Sequence, residues 1–168
     1  MESYMNRISN TGIVPVVKIL EKEDAYPLAK ALLNGGIDVI EVTYRSEHAT
    51  SAIQTISEQL PDMLVGAGTV LSVEQAKEAV EAGAKFIITP GFNTKVVQWC
   101  SDHDVEVYPG VSIASEVEMA LSMGLTQLKF FPAESSGGAK KLKDLSAPYA
   151  NVHFMPTGGI NTNNMHDY

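Results

Sequence analysis

Leu125-Thr126-Gln127-Leu128-Lys129-Phe130-Phe131-Pro132-Ala133-Glu134 is the stretch on which the fold turns. Side chains alternate along a strand with period two, so Gln127, Lys129 and Phe131 share one face and Leu128 and Phe130 the other. A strand with two such faces is covered on both, as in a parallel sheet, and it carries an inward lysine among aromatic rings. Burial disfavours the ammonium form of a lysine and supplies the neutral amine that a Schiff-base nucleophile needs. A lysine that snorkels out of the strand end to solvent fits the same spacing.

Outward from this strand, short apolar and β-branched runs recur at Ile13–Val17, Val39–Thr43, Met63–Ala67, Phe86–Thr89, Val105–Tyr108 and Val152–Met155, which with Gln127–Phe130 makes seven. Helical apolar spacing fills the gaps, as at Ala25, Leu28, Ala29, Leu32 and Leu33, or Ala76, Ala79, Val80 and Ala82. Ser72 before Val73-Glu74-Gln75 reads as a capping-box start, and Gly35-Gly36, Gly83 and Gly124 fall where helices stop. Alternating strands and helices predict a parallel α/β sheet. Polar or special residues at the carboxyl ends of nearly every run favour a closed (β/α) barrel over an open doubly wound sheet. The reading is a single barrel domain over residues 1–168. A closed barrel has eight strands, so the expectation is a chain truncated after strand seven, without the eighth strand and helix.

Composition narrows the function classes. Of 168 residues, 45% are hydrophobic and 19% charged, a globular profile. Twenty acidic against 12 basic residues give a net charge of −8, which argues against a nucleic-acid partner. The lone Cys100, beside Trp99, excludes an internal disulfide or a cysteine metal cluster and reads as packing. His48, His103, His153 and His166 have no metal-ligand spacing. No run suits a signal peptide or a membrane span, so the expectation is a cytoplasmic protein with no membrane partner. Lys140, Lys141 and Lys143 read as a solvated helix face.

Several strand ends carry candidate chemistry. In Ile40-Glu41-Val42-Thr43-Tyr44-Arg45, period two puts Glu41, Thr43 and, if the strand stays extended, Arg45 on one face. Arg45 is one of two arginines in the chain and suits a carboxylate or phosphate, although a structural Glu41–Arg45 ion pair explains the same spacing. Gly66-Ala67-Gly68-Thr69-Val70 is no dinucleotide fingerprint, because Leu71 stands where the third glycine belongs. It is either a tight turn or a place where backbone N–H groups and Thr69 meet a small ligand. Pro156-Thr157-Gly158-Gly159-Ile160-Asn161 runs from strand seven toward a helix start that Asn161 or Thr162 could cap, a position suited to phosphate. Lys18, at the end of strand one, rivals Lys129 as the inward lysine.

EVTYR at 41–45, GAGTV at 66–70, ITPG at 88–91, LKFFPAE at 128–134 and PTGGI at 156–160, in this order, resemble the 2-keto-3-deoxy-6-phosphogluconate (KDPG) aldolases, which often also act on 4-hydroxy-2-oxoglutarate. The resemblance runs from about Ile13 to Tyr168. It implies a class I aldolase, an aldehyde-lyase on a (β/α)₈ TIM barrel, needing no metal or other cofactor, assembled as a homotrimer and serving carbohydrate breakdown in the Entner–Doudoroff pathway. It implies that Lys129 forms the Schiff base and that Glu41 is the general acid/base. Arg45 and Thr69 would hold the substrate carboxylate, Pro90 and Phe131 would shape the pocket, and Thr157, Gly158 and Gly159 would contribute to the phosphate end. The partners implied are a phosphorylated 2-oxo acid and pyruvate.

Family members continue into an eighth strand with a Gly-Ser-type turn, and its lack here leads to the expectation of poor binding of phosphorylated substrate. The same chemistry on 4-hydroxy-2-oxoglutarate or 2-keto-3-deoxy-6-phosphogalactonate, and an inactive truncated barrel, are the competing readings. A phosphate-binding barrel isomerase or synthase would leave Lys129 unused.

Overall fold

The computed structural model describes residues 4–168. Helices and strands alternate in the order α1 (Tyr4–Thr11), β1 (Val16–Val17), α2 (Ala25–Asn34), β2 (Val39–Thr43), α3 (Ala49–Gln59), β3 (Leu64–Gly68), α4 (Val73–Glu81) and β4 (Phe86–Thr89). Then come α5 (Thr94–Asp102), β5 (Glu106–Val111), α6 (Ala114–Ser122), β6 (Gln127–Phe130), α7 (Gly138–Ser146) and β7 (His153–Pro156). Short 3₁₀ turns stand at Lys22–Asp24, Glu134–Ser136 and Met165–Asp167. The chain divides into two compact units, one running to Thr89 and resuming over Asn93–Val107, the other made of Pro90–Phe92 and Tyr108–Tyr168.

In the first unit β1, β2, β3 and β4 pair in chain order, all parallel. The register sets Val16, Glu41, Gly66 and Phe86 level with one another, and Thr43 beside Gly68. Every residue of β2, β3 and β4 is buried, as expected of parallel strands covered on both faces. The helices turn small or branched residues inward, including Ala25 and Ala29 of α2, Ala52, Ile53 and Ile56 of α3, and Ala76 and Ala79 of α4. Ser72 Oγ accepts from Gln75 N at 3.2 Å, while the Gln75 side chain reaches back to the N–H of Leu71 at 2.8 Å, so the capping box closes one residue early. Asn93 Oδ1 caps α5 by accepting from Lys95 N and Val96 N, and its amide donates to Leu71 O, joining two strand-to-helix loops. Gly36, Gly83 and Gly124 stand at positive φ just past α2, α4 and α6, where the glycine stops were read.

In the second unit β5, β6 and β7 pair in parallel, with Gly110 level with Lys129 and Lys129 level with Met155. Leu128 and Phe130 lie on the opposite side of β6, fully buried with Val111, Val117, Ala120, Ala133, Leu145 and Val152. That cluster fixes the pitch of β6 and with it the direction in which Lys129 points.

Four elements differ from the sequence reading. The fifth strand, read as Val105–Tyr108, spans Glu106–Val111 and so takes in Pro109 and Gly110. The first strand shrinks to Val16–Val17, because Pro15 has no N–H to give a ladder and contributes only its carbonyl, which accepts from Glu41 N at 2.9 Å. An unexpected helix, α1, packs Ile8 inward and is tied down by Arg7. The Arg7 guanidinium bonds the Asp38 carboxylate at 2.7 Å and the carbonyls of Asp38 and Asp62, at the amino-terminal ends of β2 and β3. Burial pushes the Asp38 carboxyl up, but hydrogen bonds from Thr11 and Arg7 and the charge of Arg7 outweigh it and hold the group below its usual range. Finally, Gly158 and Gly159 both take positive φ, and only an asparagine-stitched turn and a 3₁₀ turn follow, where a helix start was expected.

Candidate active site

In the first unit the candidate residues lie within β2 and just beyond the carboxyl ends of β2 and β3. Glu41, in the middle of β2, is 1% exposed. A Cβ on Gly68 would stand 1.9 Å from Glu41 Oε1, so the glycine supplies the space that the carboxylate fills across β3. Sequence reading left these glycines as either a tight turn or a place where a small ligand is admitted. At Gly68 the occupant is the chain's own carboxylate.

Thr43, the last residue of β2, is fully buried and donates to Val17 O at 2.7 Å. Arg45, two residues on, is exposed, and its Nε donates to Thr43 Oγ1 at 3.1 Å. The strand ends at Thr43, so Arg45 reaches this position from the following turn. Thr69 follows β3, partly exposed, with φ 54. A β-branched residue in the left-handed region costs on the order of 1–3 kcal/mol, a strain typical of residues held for a task. Lys18, the rival lysine, is exposed.

In the second unit Lys129 is 5% exposed, with Nζ over the Phe131 ring and 5.4 Å from its centroid. Gly110 stands level with it on β5, and a Cβ there would lie 2.1 Å from Pro90 O. The backbone of Pro90 therefore lies against the strand next to Lys129. Gly110 was not singled out in the sequence, because it lies just past the run read as Val105–Tyr108; a lone glycine beside a strand is a signal for such close approach.

The loop after β7 is bound to the segment after β6. Phe130 O accepts from Thr157 N at 2.9 Å, while Thr157 O and Gly158 O accept from Ala133 N at 2.8 Å and Glu134 N at 3.0 Å. The N–H groups of Gly158, Gly159 and Ile160 donate to no protein acceptor among the described residues. Consecutive N–H groups at a left-handed turn form a concavity suited to an anion. The start of α6 is different, because Glu116 fills it with its own carboxylate, accepting from Ser112 N at 2.6 Å and Ile113 N at 3.2 Å. The Glu134 carboxylate accepts from Tyr168 OH, and burial together with that bond pushes the phenol up to about 12.

Burial raises the Cys100 thiol to about 12, so it packs and does no chemistry at neutral pH. Lys140 and Lys143 are exposed, as read, and Lys141 is partly so. Among the described residues no helix is long and apolar enough to cross a membrane.

The family model for KDPG and KHG aldolase matches residues 4–168. A 2-dehydro-3-deoxy-phosphogluconate aldolase of Treponema pallidum is 46% identical over all of this chain and 80% of its own length. The KHG/KDPG aldolase of Escherichia coli K12 is 44% identical over 96% of this chain and 76% of its own. Among solved structures, the KDPG aldolase of Legionella pneumophila with pyruvate captured as a covalent carbinolamine is similar with a TM-score of 0.90 and 43% identity, over 92% of this chain and 75% of that one. Parallel α/β strands, an inward lysine on β6 and these likenesses together establish that the chain belongs to the KDPG and KHG aldolase family.

Proposed function

We propose that this chain is a class I aldolase that cleaves 2-keto-3-deoxy-6-phosphogluconate to pyruvate and glyceraldehyde 3-phosphate, with Lys129 as the Schiff-base residue. One observation carries the assignment of the lysine: Lys129 is buried in the middle of a strand, beside the Phe131 ring, while Lys18 is exposed. Family membership supports the reaction, and the captured pyruvate adduct of the Legionella relative supports its covalent course.

The Lys129 amine adds to the C2 ketone, and the carbinolamine loses water to give a protonated imine. The imine is an electron sink. As the C3–C4 bond breaks, its electron pair flows into the imine to form an enamine, and Glu41, directly or through water, takes the proton of the C4 hydroxyl. Glyceraldehyde 3-phosphate leaves, the enamine is protonated at C3, and water releases pyruvate and restores Lys129. Arg45 and Thr69 hold the substrate carboxylate and fix the ketone toward the amine, an orientation effect. Phe131 and Pro90 shape the pocket. The unpartnered N–H groups of Gly158 and Gly159, with Thr157, receive the phosphate.

The parallel strands belong to one (β/α)₈ barrel domain, a reading supported by relatives that align across both compact units. The assembly is a homotrimer working in the cytoplasm, in the Entner–Doudoroff pathway.

Borohydride reduction in the presence of pyruvate, followed by peptide mapping, tests the assignment. A stable adduct at Lys129 is expected. An adduct at Lys18, or cleavage activity retained by Lys129→Ala, would overturn it. The family model names both KDPG and KHG, so 4-hydroxy-2-oxoglutarate is the second substrate, and comparing kcat/KM for the two ranks them.

A further inference from the structure

We infer that Thr43 is a positioning residue for substrate recognition, holding the Arg45 guanidinium by its Nε so that the Nη1–Nη2 edge is left to receive the substrate carboxylate. The inference rests on the reading of Arg45 as the carboxylate clamp.

The hydrogen-bond inventory fixes the direction of each bond. A threonine hydroxyl has one proton and two acceptor lone pairs, a backbone carbonyl only accepts, and a guanidinium only donates. Thr43 Oγ1 lies 2.7 Å from Val17 O, so its single proton is committed there. Arg45 Nε lies 3.1 Å from the same oxygen and must donate to it. The result is one directed chain, from Arg45 Nε–H to Thr43 Oγ1–H to the Val17 carbonyl, in which each bond polarises the next. Thr43 is fully buried, and its β-branched side chain is restricted at χ1. The anchor is therefore stiff, whereas Arg45 is exposed and lies beyond the end of β2. Without the anchor, binding would have to remove the rotamer freedom of a long side chain.

The geometry also limits how the carboxylate is taken. A guanidinium offers a bidentate fork at its Nη1–Nη2 edge or at its Nε–Nη edge. The bond to Thr43 occupies Nε and leaves the Nη1–Nη2 edge without a partner among the described residues. Because the last acceptor is the carbonyl at the end of β1, the clamp is referenced to two strands.

A double-mutant cycle on the full chain tests this, with KM, kcat and pyruvate trapping by borohydride as readouts. Thr43→Val keeps the shape and removes the acceptor. It should raise KM about tenfold, change kcat less than about threefold, and leave trapping at saturating pyruvate intact. Thr43→Ser should restore KM. In an Arg45→Gln background, Thr43→Val should add nothing to KM, which a merely structural role would not produce. If Thr43→Val melts too low to assay, Thr43→Ala in the same cycle reads the same coupling. An unchanged KM in Thr43→Val, or additive effects in the cycle, would overturn the inference while leaving the aldolase reading in place. An unchanged KM in Arg45→Gln would instead overturn the clamp assignment.

Discussion

Gly68→Ala isolates the general acid/base from the rest of the chemistry without altering a functional side chain. The ideal Cβ would stand 1.9 Å from Glu41 Oε1 and 2.5 Å from its Cδ and Cγ. To reach the 3.4 Å at which ordinary contact begins, the carboxyl must retreat by about 1.5 Å. A displacement of about 1 Å at a reacting group costs on the order of 10²-fold, and a placed general base contributes roughly 10²–10⁴-fold. The expected loss in kcat is therefore about 10²-fold or more, with KM changed little. Overpacking a buried site also costs on the order of 1–3 kcal/mol, readable as a lower denaturation midpoint. The decisive comparison adds Glu41→Ala to Gly68→Ala. The new methyl then has room, so stability should return while activity should not. Borohydride trapping of pyruvate should persist in Gly68→Ala, because imine formation needs the lysine more than the carboxylate. Gly35→Ala, whose Cβ would meet nothing closer than 3.4 Å, is the control. A Gly68→Ala protein with kcat within about threefold of the parent would refute the reasoning.

Cys100, with its thiol raised to about 12 by burial, should not react with a disulfide reagent in the native protein at pH 8 and should react fully once the chain is unfolded; native labelling at the unfolded rate would contradict its packing. The Asp38 carboxyl titrates lower in the folded chain than unfolded, so between those two values the unfolded state binds more protons and stability rises with pH. Its contribution should be present above about pH 4 and lost as pH falls through the folded value, so Asp38→Asn should flatten the acid limb of a stability-against-pH curve. The effect is modest because the Arg7–Asp38 pair is more than a third exposed, and an identical acid limb in the variant would contradict the linkage. Thr69→Asn places a residue that tolerates the left-handed region at φ 54 and should stabilise the chain by up to about 1 kcal/mol while raising KM for the 2-oxo acid. Loss of stability would contradict the strain, and an unchanged KM would contradict the role of the hydroxyl.

Much of this was legible in residue order, for physical reasons that differ from place to place. Period-two alternation in Gln127–Phe131 separates Lys129 from Leu128 and Phe130, and the packed cluster under the latter two keeps that separation in three dimensions. Helix stops were readable because a glycine at positive φ is a local requirement. What escaped depends on space and on partners distant in sequence. Nothing local in Gly66-Ala67-Gly68 says that the vacancy belongs to Glu41, because that contact is made by a different strand. Helix α1 has few apolar residues, and it is held by Arg7 bonds to Asp38 and Asp62 that no periodicity can announce. The first strand was read too long because β-branched residues around Pro15 suggest a ladder that the missing N–H interrupts. The Gly158–Gly159 turn was read as running into a helix start, and a turn closed by Asn161 and Asn164 followed by a 3₁₀ turn stands there instead.

The Arg7 staple has a consequence beyond stability. It gathers the entrances of β2 and β3, whereas every proposed reacting group of the first unit lies in the body of β2 or beyond the exits of β2 and β3. One end of these strands thus behaves as a chassis and the other as a toolholder. Loops at the exits can be exchanged, lengthened or retuned to a new 2-oxo acid without loosening the clamp at the entrances, so this part of the chain offers catalytic variation and mechanical security at separate addresses.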